Sequence, residues 1–239
     1  MSYTFNRSLH PDDYAELAPW TDKLRAFSQS LSTARIFYRN DHQHRLWEYG
    51  LCLRAIEEEF SGYPVRVLDT GSGSSYWPMF LARHGYEVEV NDSGAYGSIE
   101  ATLIAQCVQF STKFHPIRIP LHVEPCEAMG SIPDHTFDVV TCVSVIEHVD
   151  ARDYEAALRE HYRVTKPGGL ILMTSDFFPD ANRKTIFDSI QHTKYTSEIA
   201  ERVPALFGGA VEWLGPHDFT YRGDFVHNYS FCSTFFRKL

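Results

Sequence analysis

The reactive side chains of this sequence cluster at the ends of short apolar runs. Val65-Arg66-Val67-Leu68-Asp69 reads as a buried strand that stops on a carboxylate, and Gly71 and Gly73 follow at alternate positions. Without Cβ atoms, glycines at such a turn let a ligand approach the backbone closely. Ser74 or Ser75 can then cap a helix. Strand, Gly71-Ser72-Gly73 turn and helix N-terminus together make a cradle for a nucleoside-like ligand that touches main-chain atoms. A second carboxylate, Asp92, ends the next alternating run, Glu87-Val-Glu-Val90. Glu147-His148 follows the apolar run Phe137–Val143, and an imidazole that titrates near neutrality suits removal of a proton from a hydroxyl or ammonium nucleophile. His148 also fits a plain helix-start residue, and Glu147 a structural acceptor.

These groups need elements to hold them in place. From Val65 onward, apolar runs of strand length alternate with helical patterns, which implies βαβ units and a mostly parallel sheet. Strands are expected at 65–69, 87–92, 117–123, 137–143 and 170–174, with Lys166-Pro-Gly-Gly169 turning the chain into the last of these. Helices are expected after the glycine turn to about Arg83, through Ile99, Leu103, Cys107 and Phe110, and after a cap at Asp150. A further helix would start near Thr196 and stop at Gly208-Gly209. Two terminal strands, Val211–Leu214 and Phe225–Phe236, lie around Gly215-Pro216 and should pair antiparallel.

Residues 1–60 show few strand signals and two helical stripes, Trp20/Leu24/Phe27/Leu31 and Leu46/Tyr49/Leu53/Ile56/Phe60. The expected division is a helical N-terminal cap over 1–60 and a ligand-binding domain over 61–239, with an aperiodic insertion at 177–195.

Composition narrows the class. At 239 residues with 44% hydrophobic side chains, the chain can build a full globular core. A formal charge of −9 without a lysine-arginine run argues against a nucleic-acid partner. No run approaches the ~18 apolar residues of a membrane span, and no apolar leader opens the chain. Five scattered cysteines lack any C-x-x-C pair, so a disulfide framework is not expected and a reducing cytoplasm is. The twelve histidines have no metal-ligand spacing, and no metal is expected.

The glycine turn discriminates among cofactors. A nicotinamide dinucleotide fingerprint requires a third glycine where Tyr76 stands, and Asp69 is not part of it. A nicotinamide-dependent oxidoreductase is therefore the weaker alternative. The combination Asp69-x-Gly71-x-Gly73, an acid ending the second strand, Phe137-Asp-Val-Val140 leading to Glu147-His148-Val149, and Arg163-Val-Thr-Lys-Pro-Gly-Gly-Leu170 resembles the class I S-adenosylmethionine-dependent methyltransferases over residues 60–239. The resemblance implies a doubly wound, Rossmann-like α/β fold with seven strands in the order 3-2-1-4-5-7-6, the last antiparallel. It implies S-adenosyl-L-methionine as cofactor, held by Asp69, Gly71, Ser72, Gly73 and Asp92, the last toward the ribose hydroxyls. Asp92 is otherwise a turn residue. The family's usual adenine-contacting acid falls on Cys126 here, so Glu127 stands in or both merely line a loop. Cys142 and Val143 would meet the methionyl part through backbone carbonyls.

Methyl transfer needs chiefly in-line positioning of acceptor and methyl carbon. His148 is the candidate base and Glu147 its neighbour. Tyr38, His42, Trp47, His227 and Tyr229 are the candidate acceptor-side groups, although alternate residues from His227 to Phe235 also fit a half-buried strand face. A small-molecule acceptor, methylated at oxygen rather than nitrogen or carbon, is the expected partner. A subunit that keeps the cofactor site but has lost catalysis is the remaining alternative.

Overall fold

The computed structural model describes residues 3–30, 43–62, 64–95, 116–178, 202–221 and 230–239, with positions 100, 103, 107 and 200. Its helices are α1 (Asp13–Glu16), α2 (Ala18–Ser30), α3 (Gln43–Glu59), α4 (Trp77–Arg83) and α5 (Tyr154–Val164). Its strands are β1 (Asn6–Ser8), β2 (Arg66–Thr70), β3 (Glu87–Asp92), β4 (Leu121–Val123), β5 (Phe137–Val143), β6 (Thr165–Phe177), β7 (Val211–Trp213), β8 (His217–Asp218) and β9 (Ser230–Lys238). Short 3-10 turns occupy Ile146–His148 and Val203–Phe207.

All nine strands form one sheet in the order β4-β3-β2-β5-β6-β9-β1-β8, with β7 also pairing with β9. From β4 to β6 every pairing is parallel, and β9 joins β6 antiparallel from Leu170↔Arg237 to Phe177↔Ser230. The doubly wound α/β class is as expected. The strand count is corrected from seven to nine among the described residues, because β1 and β8 extend the sheet past β9. A three-residue strand such as β1 is too short to show a period. Its place follows from the open edge of β9, where Arg7 pairs with Ser233 and Asn6 caps neighbouring strands. Asn6 Nδ2 donates to the Leu214 carbonyl at 3.0 Å, and Asn6 Oδ1 accepts from the Phe235 N–H.

Alternation sorts the core into two layers. Leu170, Leu172, Phe231 and Phe235 pack with α2, α3 and α4, whereas Ile171, Met173, Cys232 and Phe236 pack with α5 and Val203. Helix α3 lies deeper than its apolar stripe predicts. Leu46 to Leu53 are all buried, and α2 approaches so closely that a Cβ on Gly50 would meet Thr21 Cγ2 at 2.9 Å.

Several boundaries shift by local chemistry. Ser75 Oγ accepts the Trp77 N–H at 3.3 Å at the start of α4, and Pro78 sits in its first turn. Asp153 rather than Asp150 precedes α5. Lys166-Pro-Gly-Gly169 is part of β6, where the pairing with β5 slips between Phe137 and Val139. The helix expected through Ile99 and Phe110, and most of the one starting at Thr196, lie outside the described residues. No helix among the described residues is long and apolar enough to cross a membrane.

Candidate cofactor and methyl-transfer site

The parallel strands β2, β3, β5 and β6 all end on one edge of the sheet, the edge where open α/β sheets bind ligands. Asp69, near the end of β2, is 2% exposed, and its Oδ1 accepts the Thr141 hydroxyl at 2.7 Å. Thr141 Oγ1 in turn lies 3.4 Å from the Trp77 indole N–H, which joins β2, β5 and α4 under the glycine turn. Burial raises Asp69 from the ordinary 3.8 to about 6, against the lowering pull of the Ser72 and Thr141 hydroxyls.

Gly71 and Gly73 both have positive φ, at 65° and 53°. The Gly71 N–H donates to the Asn91 carbonyl at 2.8 Å, and a Cβ on Gly71 would lie 2.5 Å from both methyl carbons of Val145. Asp92 closes the cradle from β3. Its Oδ2 accepts the Gly73 N–H at 2.8 Å and its Oδ1 the Gly94 N–H at 2.7 Å. The two glycine turns therefore hang on one carboxylate, whose remaining lone pairs stay available to hydroxyl donors. Ser72 is buried beside Asp69. Across the edge, Asn91 Nδ2 donates to the Glu124 carbonyl at 2.8 Å and holds the loop that carries Cys126 and half-buried Glu127. Cys126 Sγ lies 3.7 Å from Glu127 Oε2, and burial with that carboxylate pushes the thiol up to about 12, so it is a neutral packing group.

At the end of β5, Val143 offers its carbonyl to Arg45 Nη1 at 3.4 Å, and Ser144 adopts a left-handed φ of 51°. The sequence candidates Glu147 and His148 share one 3-10 turn but face opposite environments. Glu147 is 4% exposed and His148 is exposed. Trp47 is fully buried, and its indole N–H donates to Asp13 Oδ2 at 2.9 Å, fastening α3 to α1. Tyr38, His42, His227 and Tyr229 lie outside the described residues, as do residues 179–195 of the expected insertion.

Three further groups at this edge have no motif to announce them. Glu48 of α3 accepts the hydroxyls of Ser144 and Thr174 and pairs with Arg45 at 2.9 Å. Asp176, near the end of β6, donates its backbone N–H to Glu147 Oε1 at 3.1 Å. His161 of α5, fully buried, contacts Thr70 Oγ1 at 2.8 Å through Nε2 and is kept neutral by burial. Only Glu48 left a trace in the sequence, as an acid inside the apolar run Leu46-Trp47-Glu48-Tyr49.

The residues present fit a nucleoside-type cofactor. The Gly71 cradle excludes any side chain, the Asp92 carboxylate orders the turn around it, and a buried oxygen, Glu147 Oε2, has no hydrogen-bond partner among the described residues. One consequence is a trade between stability and binding at Asp69. Between pH 3.8 and about 6 the native state keeps a proton that the unfolded chain has released. Stability therefore falls as pH rises through that window and stays lower above it. Asp69→Asn is expected to raise stability at neutral pH by on the order of 1–3 kcal/mol while weakening cofactor binding. Thermal unfolding at about pH 4 and pH 7, where the gain should shrink at the lower pH, checks this.

Comparison with known proteins agrees with this geometry. Residues 68–173 match the methyltransferase domain family. A ubiquinone biosynthesis O-methyltransferase of Pseudomonas putida is 33% identical over 129 residues, 54% of this chain and 49% of that enzyme. The chain thus spans about half the length of the curated relatives it matches. Among solved structures, a Burkholderia thailandensis 1,6-didemethyltoxoflavin-N1-methyltransferase with bound S-adenosylhomocysteine aligns with a TM-score of 0.60 at 14% identity, covering 96% of this chain and 91% of that one. The [4+2]-cyclase SpnF aligns with a TM-score of 0.59 at 16% identity, covering 80% and 82%. Over residues 68–173 the chain is similar to the methyltransferase domain, and its sheet has the Rossmann-like arrangement of the solved structures it aligns with. Its match to the methyltransferase family runs from Leu68 in β2 to Met173 in β6, which takes in the glycine turn, Asp92 and Glu147.

Proposed function

We propose that the protein transfers the methyl group of S-adenosyl-L-methionine to an oxygen of a small hydroxylated molecule. The observation that carries the reading is the Gly71–Gly73 turn, clamped by Asp92 and closed to any side chain by Val145. The cofactor supplies a methyl carbon on a positively charged sulfur that departs as a neutral thioether. In this reading Gly71, Ser72 and Gly73 present backbone to its methionyl part, Asp69 anchors the turn, and Asp92 takes the ribose hydroxyls. Glu127 and Cys126 border the adenine, and the Val143 carbonyl borders the methionyl chain. His148, whose side chain is exposed, is the candidate general base in this reading, while Glu147 is buried beside it.

The preference for oxygen is drawn from the curated O-methyltransferase relatives, and the small acceptor from the net charge of −9 and the absence of a basic run. Tyr38, His42, His227 and Tyr229 belong to this proposal as acceptor-side groups. Isothermal titration of the full chain should give saturable one-site binding of both S-adenosylmethionine and S-adenosylhomocysteine. A transfer assay with labelled methyl donor should then label hydroxylated aromatic and sugar acceptors in preference to amines. No binding of either cofactor form would overturn the reading, and labelling of amines alone would overturn its oxygen preference.

A further inference from the structure

Three carboxylates from three elements meet a single guanidinium at the C-terminal ends of β5 and β6. Glu48 is fully buried, with Oε1 accepting Ser144 Oγ at 2.6 Å and Thr174 Oγ1 at 2.7 Å and Oε2 paired with Arg45 Nη1. Glu147 spends Oε1 on the Asp176 N–H, and its buried Oε2 has no hydrogen-bond partner among the described residues. The half-buried Asp176 carboxyl has no side-chain hydrogen bond there either. Tyr14 on α1, Tyr49 and Cys52 on α3, Cys142 on β5 and Cys232 on β9 are further titratable neighbours that burial keeps neutral, and the Asp69 carboxyl on β2 also acts on Arg45. Among the described residues one cation therefore stands against three acids, and an acid oxygen is left unfilled. Such an arrangement is costly unless another positive charge arrives.

The cluster is continuous with the cofactor edge. Arg45 Nη1 touches the Val143 carbonyl, and Ser144, bonded to Glu48, is the next residue. We propose that Glu147 and Asp176, backed by Glu48, form the seat for the positive sulfur of the methyl donor, and that this seat distinguishes the donor from its neutral demethylated product. The proposal rests on the methyl-transfer reading above.

Its second half concerns a proton. Burial, then the Asp176 charge, push Glu147 well above the usual carboxylate range. Burial, then the Glu48 charge, push Asp176 up to about 7 against the pull of Arg45. Two such acids share a proton at neutral pH. A positive charge beside them favours their ionised forms, so the pair yields one proton to the buffer when the cationic donor binds. The neutral-sulfur product leaves that proton where it is. No bond other than this O–H changes.

Calorimetric titration of the full chain with S-adenosylmethionine and S-adenosylhomocysteine, at about pH 6, 7 and 8 and in buffers of different ionisation enthalpy, tests the inference. Donor binding should release a proton at the lower pH values, and product binding should release none. The donor-to-product affinity ratio should rise with pH by up to about tenfold per unit on the acid side. In Asp176→Asn and Glu147→Gln this slope should flatten while product affinity stays within about threefold of wild type. A ratio that is independent of pH in the wild type overturns the inference, as does a slope unchanged in both variants. If one variant fails to fold, the slope in the other decides. Absence of binding by both compounds would instead overturn the methyl-transfer reading.

Discussion

Gly71→Val is expected to abolish cofactor binding, with a loss of more than about 100-fold in affinity by titration calorimetry. Two costs combine at this position. A φ of 65° places an L-residue in the left-handed region, worth roughly 1–2 kcal/mol. The new side chain would also start 2.5 Å from Val145, and overpacking of that kind costs about 1–3 kcal/mol. Relief requires moving Val145 or the turn, and the turn is what the cofactor must touch. Gly73→Ala is the informative control, because its φ of 53° carries similar strain but nothing lies within 4 Å of the added Cβ. It should lose much less affinity than Gly71→Val. Equal losses would mean that strain alone, and not the approach of Val145, governs the cradle.

Glu48→Ala should be the most destabilising substitution near the site. It removes the carboxylate that pairs with Arg45 and that accepts the hydroxyls of Ser144 and Thr174. The loss takes from Arg45 its paired carboxylate, leaving Glu147 and Asp176 beside it, and strips two hydroxyls of their acceptor, at about 3–5 kcal/mol together. For a chain of this length that corresponds to a fall in Tm on the order of 10 °C. Replacing Arg45 and Glu48 together by methionine should recover part of the loss, since an apolar pair restores packing and the remaining Glu147 and Asp176 carboxyls can take up protons. Denaturant and thermal unfolding of the three proteins check this. A loss below about 1 kcal/mol in Glu48→Ala would place the pair in solvent-like surroundings and contradict its burial.

The two variants separate what was legible in the sequence from what was not. Gly71 announces itself because a turn of positive φ needs glycine and because Asp69 and Asp92 stand at the ends of apolar runs. Both are local constraints, written in neighbouring residues. The same holds for the Ser75 cap, for the end of α4 at His84-Gly85, and for the alternation that sends Leu170 and Leu172 to one face of β6 and Ile171 and Met173 to the other. The Arg45–Glu48–Glu147–Asp176 cluster has no such signature. Its members lie up to 131 positions apart, Arg45 to Asp176, on α3, a 3-10 turn and β6.

The opposite exposures of Glu147 and His148 illustrate the difference most directly. In the sequence His148 is the candidate base and Glu147 a structural acceptor, and the packing of their turn against β6 buries Glu147 and exposes His148. Strands β1 and β8 were invisible for a related reason, since three and two residues carry no period, and β1 pairs with the open edge of β9 while β8 pairs in turn with β1. The sequence by itself determined the strand-turn-strand frame and the glycine cradle, because those depend on local backbone sterics and on side-chain alternation. Tertiary structure alone decided where the buried charges of the site meet, because desolvation and pairing act across elements that only the folded sheet brings together.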